Sequence, residues 1–179
     1  MMEKNNKASK ILVMGLDNSG KTSIVLNLIG KNNLLDYILL KPTFGADIVQ
    51  HEINDSSYSI WDLGGQDAYR EEYLDNFEEY IKETSKIVYV IDIQDNQRYD
   101  LALDYFKNII EKVENLDNNI EITVFLHKND PHLEDSRPDI NEQAIDHLIN
   151  EIKRLIPDKI YYEIFTSTIY TVFDKSLKK

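Results

Sequence analysis

The segment 15–22 constrains the fold of this chain more than any other. It has the spacing G-x-x-x-x-G-K-T, and it lies between the apolar run 11–14 and a predicted helix at 22–29. A strand, a glycine-containing loop with a lysine, and a helix form the context in which this pattern binds the phosphates of a nucleoside triphosphate. The sequence therefore predicts a phosphate-binding loop. The alternative is an ordinary strand–helix turn whose glycines form a bend and a cap.

Physical chemistry explains why these residue types suit a loop that binds phosphate. Gly15 and Gly20 permit backbone angles at which successive N–H groups turn inward around a phosphate. The helix N-terminus adds a partial positive charge at the same place. Lys21 can reach the outer phosphates, and the hydroxyl of Thr22 is placed to bind magnesium. The loop residues expected to contact the nucleotide are Asp17, Asn18, Ser19, Gly20, Lys21, Thr22 and Ser23.

Charge and composition exclude several classes of function. The chain has 179 residues, 42% of them hydrophobic, which suits one α/β domain with a full core. Its formal net charge of −12 disfavours binding to nucleic acid or to anionic lipid. It contains no cysteine, and its N-terminal residues carry neither a signal sequence nor a myristoylation glycine. We therefore expect a cytoplasmic protein without a lipid anchor, recruited to membranes only through a partner.

Strand and helix patterns alternate along the chain. The predicted strands are 10–14, 46–53, 58–62, 87–91, 120–126 and 161–165, and the predicted helices are 22–29, 71–82, one carrying Leu103, Phe106, Ile110 and Val113, then 145–156 and 169–177. The turn signal at 54–57 joins the second and third strands into a hairpin. These patterns predict an α/β fold of the P-loop type, with a doubly wound, mostly parallel six-stranded sheet and one antiparallel edge strand. Residues 1–9 are expected to be flexible, and residues 10–179 to form a single domain.

The connection 31–44 is long for a compact domain, and such loops are often functional. It contains four apolar residues, Ile38, Leu39, Leu40 and Phe44. Two interpretations of them are equally favoured: a surface that binds a partner protein, or packing on the domain's own sheet. Thr43, which follows Pro42, is a candidate for the hydroxyl that closes on magnesium and the γ-phosphate.

The segment 61–66 ends the third predicted strand with Trp-Asp-Leu-Gly-Gly-Gln. An aspartate at this position can hold magnesium through a water molecule, and a glycine amide can approach a γ-phosphate. These roles fall to Asp62 and Gly65, and Gln66 is placed to orient an attacking water. Taken alone, the same residues are a common turn followed by a surface glutamine.

Two further segments follow buried strands. Residues 127–130, His-Lys-Asn-Asp, are close to the guanine-reading pattern N-K-x-D, with histidine in the first place. Asp130 can accept hydrogen bonds from a ring N–H and an exocyclic amine, both of which guanine has, and the Lys128 stem can cover the base. Residues 166–168, Thr-Ser-Thr, are placed where a backbone amide of Ser167 or Thr168 meets the base carbonyl. The alternatives are a charged surface turn and a helix N-cap.

Together these segments resemble the Ras-like small GTPases, over the length from Lys10 to the C-terminus. Within that superfamily the pattern is similar to the Arf and Rag (Gtr) branches. The phosphate loop and the Pro-Thr pair at 42–43 resemble Arf, the segment 61–67 is common to both branches, and 127–130 with Thr-Ser at 166–167 resembles Rag.

The resemblance implies a GTP/GDP switch in signalling or trafficking, with guanine nucleotide and Mg²⁺ bound together. Thr22 and Thr43 would bind the metal, with Asp62 behind a water. Thr43 and Gly65 would sense the γ-phosphate, and Gln66 would position the hydrolytic water. Hydrolysis of GTP to GDP should be slow, because the loop 31–44 has no arginine to act as a finger. The implied partners are effector, GTPase-activating and exchange proteins.

The chain departs from each branch in one respect. It offers no amphipathic, myristoylated N-terminal helix as in Arf, and it stops before the additional C-terminal domain through which Rag proteins pair. We expect either a stand-alone G domain or a piece of a longer chain, as a monomer, homodimer or heterodimer. Two other functions stay open: a non-hydrolysing interaction scaffold that keeps GTP or GDP as a structural ligand, and an adenine-nucleotide P-loop enzyme.

Overall fold

The computed structural model describes residues 8–31, 33, 36–37, 39–53, 56–116 and 119–169. The strands are β1 (Ser9–Gly15), β2 (Ala46–Ile53), β3 (Ser56–Leu63), β4 (Thr84–Asp92), β5 (Glu121–His127) and β6 (Tyr162–Thr166). The helices are α1 (Lys21–Leu28), α2 (Asp67–Asp75), α3 (Phe77–Ile81), α4 (Tyr99–Glu114), α5 (Leu133–Ser136) and α6 (Glu142–Leu155), with a 3₁₀ turn at Asn96–Arg98.

The strands form one sheet in the order β2-β3-β1-β4-β5-β6. Strand β2 pairs antiparallel with β3, and every other neighbouring pair is parallel. This confirms the predicted doubly wound sheet with one antiparallel edge strand. Because the parallel strands all end at the same edge, the segments that follow β1, β3, β4, β5 and β6 meet there, which is where such sheets bind ligands.

The central strands β1, β4 and β5 are buried on both faces of the sheet, as continuous apolar runs in parallel strands predict. Helix α1 covers one face, where the core consists of Val13, Ile24, Val25, Ile60, Val88 and Val90. The larger core lies on the other face, and α4 contributes Ala102, Tyr105, Phe106, Ile109, Ile110 and Val113 to it. Leu103, which the sequence placed in this stripe, is only partly buried. No described helix has both the length and the apolar character that crossing a bilayer requires.

The region 67–82 differs from its prediction. The expected helix at 71–82 is two helices, α2 and α3, which meet at Asn76, and α2 begins at Asp67. The side-chain amide of Asn76 donates to the carbonyl of Glu72 (3.1 Å), which is the kind of local bond that interrupts a helix. Tyr73, Phe77 and Ile81 are nevertheless buried, so packing uses the apolar positions of both helices.

Some expectations lie outside the described residues. These are the flexible segment up to residue 7, the side chains of Leu34, Leu35 and Ile38, and residues 170–177 of the last predicted helix. Ser9, which the sequence assigned to the flexible segment, is the first residue of β1.

Replacing Phe106 by alanine should destabilise the fold. The Phe106 ring is fully buried between α4 and the sheet. Its loss should lower the free energy of unfolding by about 3–5 kcal/mol, measured by urea denaturation. Phe44→Ala is the matched control, because that ring is 74% exposed, and it should change stability by less than about 0.5 kcal/mol. Equal losses for the two variants would contradict the assigned core.

Candidate nucleotide-binding site

The loop between β1 and α1 lies in direct contact with neighbouring backbone and side chains. Gly15 and Gly20 both have positive φ (143° and 93°). A Cβ added at Gly15 would lie 2.3 Å from the carbonyl oxygen of Val90, and one at Gly20 would lie 2.3 Å from Cδ2 of His127. Both positions therefore require glycine for two reasons, backbone angle and space.

The side chain of Lys21 is buried inside this loop. Its Nζ donates to the carbonyl oxygens of Gly15 (3.1 Å) and Leu16 (2.6 Å). Burial lowers the pKa of Lys21 to about 8, and the carboxylates of Asp62 and Asp17 offset part of that effect. A buried ammonium group whose hydrogen bonds go to neutral carbonyl oxygens is well suited to an anionic ligand.

A cavity of about 380 Å³ opens over the loop. It is lined by residues 17–23, by Leu40, Lys41, Pro42 and Thr43, and by Gly65 and Gln66. Five buried side-chain atoms of the described residues have no hydrogen-bond partner, and three of them are Ser19 Oγ, Asp62 Oδ1 and Gln66 Oε1. Such atoms are rare in folded proteins, and a cluster of them indicates a site that a polar ligand completes.

Three side-chain oxygens meet at the floor of this site. The hydroxyl of Thr22 donates to Oδ2 of Asp62 (2.5 Å) and lies 3.1 Å from the hydroxyl of Thr43, which is 3.3 Å from the same carboxylate oxygen. Asp62 is 1% exposed, and burial raises its pKa. A carboxylate and two hydroxyls are the oxygen donors that Mg²⁺ prefers, and the unpartnered Oδ1 of Asp62 fits a role toward a hydrated cation.

The segment after β3 lies tightly against the phosphate loop. The amide of Asp17 donates to the carbonyl of Gly65 (3.0 Å), and a Cβ at Gly65 would lie 2.2 Å from the Asp17 nitrogen. The amide of Gly64 donates to the carbonyl of Gly45 (2.7 Å), which connects this segment to the start of β2. Gln66 follows directly, at the N-terminus of α2. The structure therefore brings Gln66 and the phosphate loop together, as the sequence predicted.

The segment after β5 also contacts the phosphate loop. His127 is 3% exposed, and its Nδ1 lies 2.9 Å from the hydroxyl of Ser167. Burial, and to a lesser degree the charge of Lys128, lowers the pKa of His127. Nζ of Lys128 donates to Oδ2 of Asp92 (2.6 Å) and to the carbonyl of Asn18 (2.8 Å). These bonds join the ends of β4 and β5 to the phosphate loop.

Both oxygens of Asp130 are held by neighbouring side chains. The hydroxyl of Thr168 donates to Oδ1 (2.5 Å), and the side-chain amide of Gln94 donates to Oδ2 (2.8 Å). The backbone amide of Ser167 donates to the carbonyl of Leu126 (2.9 Å), so this amide extends the sheet. The hydroxyls of Ser167 and Thr168 contact His127 and Asp130, and the expected contact between a backbone amide of this segment and the base carbonyl stays a prediction.

Sequence reasoning missed two side chains at this edge of the sheet. Nη1 of Arg98 donates to Oδ1 of Asp17 (2.7 Å), and Nη2 donates to the Asp17 carbonyl (3.2 Å). Gln94 contacts Asp130 as described above. Both follow β4, which carries no recognisable motif, and 81 residues separate Arg98 from Asp17 along the chain. Only the strand order places the end of β4 beside the phosphate loop.

The strand order, the loop with its buried lysine and the segments after β3 and β5 define the G domain of a Ras-like small GTPase. Within that class, the chain belongs to the Gtr1/RagA G-protein family. The family model described as the Gtr1/RagA G protein conserved region matches residues 10–178. The resemblance to the Arf and Rag branches is thereby confirmed.

The chain is also similar to ADP-ribosylation factors. The chain is 34% identical to ADP-ribosylation factor 1 of Brassica rapa subsp. pekinensis over 109 residues, which is 61% of this chain and 56% of that protein. It is 31% identical to ADP-ribosylation factor F of Dictyostelium discoideum over 121 residues, 68% of this chain and 60% of the relative. The matches thus span between half and two thirds of these relatives.

Solved structures share the fold. The Arl6 BBS3 small GTPase from Trypanosoma brucei, solved with the nucleotide analogue GppNp, superposes with a TM-score of 0.64 at 18% identity. That match covers 90% of this chain and 87% of the other. The mammalian SRP receptor superposes with a TM-score of 0.65 at 14% identity, covering 89% and 90%. These likenesses confirm the architecture.

Replacing Lys21 by methionine should change how the stability of the nucleotide-free protein depends on pH. The pKa of Lys21 is lowered in the folded protein to about 8, from a reference value of 10.5. Between these two values the folded protein has released a proton that the unfolded chain still holds, so stability rises with pH. Relative to Lys21→Met, the wild-type free energy of unfolding should increase by roughly 2–3 kcal/mol between pH 7 and pH 10.

The measurement is urea denaturation of both proteins across this pH range. All other titrating groups are common to the two proteins and cancel in the difference. Parallel pH profiles would mean that Lys21 is not the buried, destabilised cation described above.

Proposed function

We propose that this protein is a magnesium-dependent GTP/GDP switch that hydrolyses GTP to GDP slowly. The observation that carries the proposal is the meeting of three segments at one edge of the sheet. The phosphate loop lines one cavity together with Gly65 and Gln66, and residues 127–130 contact that loop through His127 and Lys128. The unpartnered atoms Ser19 Oγ, Asp62 Oδ1 and Gln66 Oε1 support a ligand rich in oxygen and charge. Membership of the Gtr1/RagA family agrees with this assignment.

Guanine recognition is assigned to the segment after β5. Asp130 would accept hydrogen bonds from the ring N–H and the 2-amino group of guanine, while the stem of Lys128 covers the base. The contact between Nδ1 of His127 and the hydroxyl of Ser167 (2.9 Å) holds this segment against the end of β6. Adenine lacks the 2-amino group and presents an acceptor in place of the ring N–H, so it would add no hydrogen bond to the Asp130 carboxylate and would set a ring lone pair against its charge, which is costly.

Thr22, Thr43 and Asp62 would hold Mg²⁺, the first two directly and Asp62 through water. The bound metal supplies charge neutralisation for the β- and γ-phosphates. Thr43 lies in the loop before β2 and Gly65 follows β3, so both are placed to respond to the γ-phosphate. Thr43 contacts the hydroxyl of Thr22, and a γ-phosphate with its metal would add further contacts to the loop that carries Thr43, contacts that are lost on hydrolysis.

Hydrolysis is assigned to Gln66, whose Oε1 is buried beside the cavity without a partner. An amide oxygen in this setting can accept a hydrogen bond from a water molecule and orient that water toward a phosphate. The loop 31–44 contains no arginine that could stabilise the transition state. A GTPase-activating partner would supply that charge, which is why the intrinsic rate should be low.

The partner-binding surface is assigned to the loop before β2. Leu39 and Phe44 are 71% and 74% exposed, and Ile48 on the edge strand β2 is 47% exposed. Of the two interpretations of these apolar residues, their exposure favours a surface for effector, activating and exchange proteins. With a net charge of −12, recruitment to membranes would proceed through a partner, and we propose a cytoplasmic location for the free protein.

Gln66→Leu should lower GTP turnover without weakening nucleotide binding. Leucine fills a similar volume but cannot orient water, so the single-turnover rate of GTP hydrolysis with Mg²⁺ should fall about 10- to 100-fold. Affinity for GDP is the internal control and should stay within about twofold, because Gln66 contacts no part of GDP in this assignment.

Equal hydrolysis rates would remove Gln66 from the catalytic assignment. A wild-type protein that keeps bound GTP intact for days, even with cell extract added, would favour the alternative of a scaffold with GTP as a structural ligand.

GTP and GDP should displace a fluorescent guanine nucleotide, and ATP should not. A site that hydrogen-bonds both edge donors of guanine should prefer GTP over ATP by roughly 1,000-fold or more. Asp130→Asn should weaken GDP binding, because an amide cannot accept from both donors as a carboxylate does. Competition titrations with Mg²⁺ present measure both effects. Equal displacement by ATP would indicate an adenine-nucleotide enzyme and end the proposal of a guanine switch.

A further inference from the structure

The side chain of Gln94 lies at the end of β4, against the segment that would read the base. A single atom, Nε2, donates to the carbonyl oxygen of Lys128 (2.7 Å) and to Oδ2 of Asp130 (2.8 Å). Both partners can only accept hydrogen bonds at pH 7, so the amide must present its NH₂ group to them. The assignment of the nitrogen and oxygen atoms of the Gln94 side-chain amide therefore follows from its hydrogen-bond partners.

The backbone N–H and C=O groups of Gln94 are both hydrogen-bonded to side chains. Its amide donates to Oδ1 of Asp92 (2.9 Å), and its carbonyl accepts from Nη1 of Arg137 (3.2 Å). The other oxygen of Asp92 accepts from Nζ of Lys128 (2.6 Å). A closed ring of hydrogen bonds thus links the ends of β4 and β5, and Gln94 is the member of it that touches Asp130.

This ring of hydrogen bonds also stabilises an unfavourable backbone conformation at Lys128. Lys128 has φ of 64°, a left-handed conformation that is unfavourable for a residue with a side chain. The bond from Gln94 to the Lys128 carbonyl stabilises this turn. Because the turn aims both Lys128 and Asp130 at the site, Gln94 orders the segment and its carboxylate together.

The carboxylate of Asp130 is clamped in its plane. Thr168 donates to Oδ1 and Gln94 donates to Oδ2 (2.5 and 2.8 Å). A carboxylate can accept about four hydrogen bonds, so each oxygen keeps capacity for one more. With both oxygens held, the group cannot rotate about its Cβ–Cγ bond without breaking one of these two bonds.

We propose that Gln94 is a positioning residue for guanine specificity. It acts through Asp130 by fixing the carboxylate so that its two oxygens accept from the ring N–H and from the 2-amino group at the same time. This inference rests on the proposed guanine-nucleotide function and adds a residue that touches neither the nucleotide nor the metal in that assignment.

The test compares GDP with IDP, whose hypoxanthine base lacks only the 2-amino group. In Gln94→Leu, the carboxylate of Asp130 can rotate. It can then keep a strong hydrogen bond to the ring N–H of the base while its bond to the 2-amino group weakens. Affinity for GDP should therefore fall about tenfold, and affinity for IDP only about twofold, the tenfold figure being the usual effect of one hydrogen bond to a charged group. The GDP/IDP selectivity ratio should drop about fivefold as a consequence.

Two further variants sharpen the test. Gln94→Glu has the same shape but places an anion against Oδ2 of Asp130, so it should lose more GDP affinity than Gln94→Leu does. Gln97→Leu is the matched control, because this exposed glutamine lies three positions further along, and its selectivity ratio should equal that of wild type. Since the ratio is taken within one preparation, partial misfolding of a variant does not alter it.

A double-mutant cycle separates action through Asp130 from a general structural effect. In an Asp130→Ala background, Gln94→Leu should cause no further change in the GDP/IDP ratio. A ratio in Gln94→Leu equal to wild type, or an equal additional drop in the Asp130→Ala background, would overturn this inference while leaving the guanine switch intact. Failure of the wild-type protein to prefer GDP over ADP would instead overturn the proposed function and this inference with it.

Discussion

The backbone of the phosphate loop contacts residues at the ends of β3, β4 and β5, and the rest of the site depends on these contacts. Gly15 lies against β4 at Val90, Gly20 lies against His127 of β5, and the segment after β3 places Gly65 against the loop at distances that no Cβ would allow. A parallel sheet makes this possible, because all of these strands end at one edge. The loop is therefore in contact with all of the segments to which we assign magnesium binding and base recognition.

The buried charges at this site explain why it suits a charged ligand. Burial lowers the pKa of Lys21 and raises that of Asp62, so each charged group is less stable in the folded protein than in water. Ser19 Oγ, Asp62 Oδ1 and Gln66 Oε1 are buried without hydrogen-bond partners. A phosphate and a divalent cation would satisfy all of these groups, and binding to the folded state alone would then stabilise the fold. The chain as a whole has a net charge of −12, so binding of an anion would depend on local groups such as Lys21.

Sequence patterns predicted both the largely exposed edge strand β2 and the buried central strands β4 and β5. The bounds of β2 agree with the predicted 46–53, and the continuous apolar runs at 87–91 and 120–126 lie within one residue of β4 and β5 or inside them. The helix at 71–82 was predicted wrongly, because Asn76 interrupts a stripe whose apolar spacing continues through Phe77 and Ile81. Periodicity records which side chains are buried, and it is insensitive to a break in the backbone that keeps the same face inward.

The sequence by itself determined the residues that carry a motif: the phosphate loop, Asp62 to Gln66, and residues 127–130, together with the family to which they belong. Local chemistry suffices there, since a glycine loop before a helix, or a carboxylate after a buried strand, has a limited set of uses. Only the tertiary structure decided how these segments are joined. Arg98 reaches Asp17 across 81 residues and Gln94 reaches Asp130 across 36, and no local pattern marks either one. Their partners are set by the order of strands in the sheet, which depends on packing of the whole chain and not on any short stretch of it.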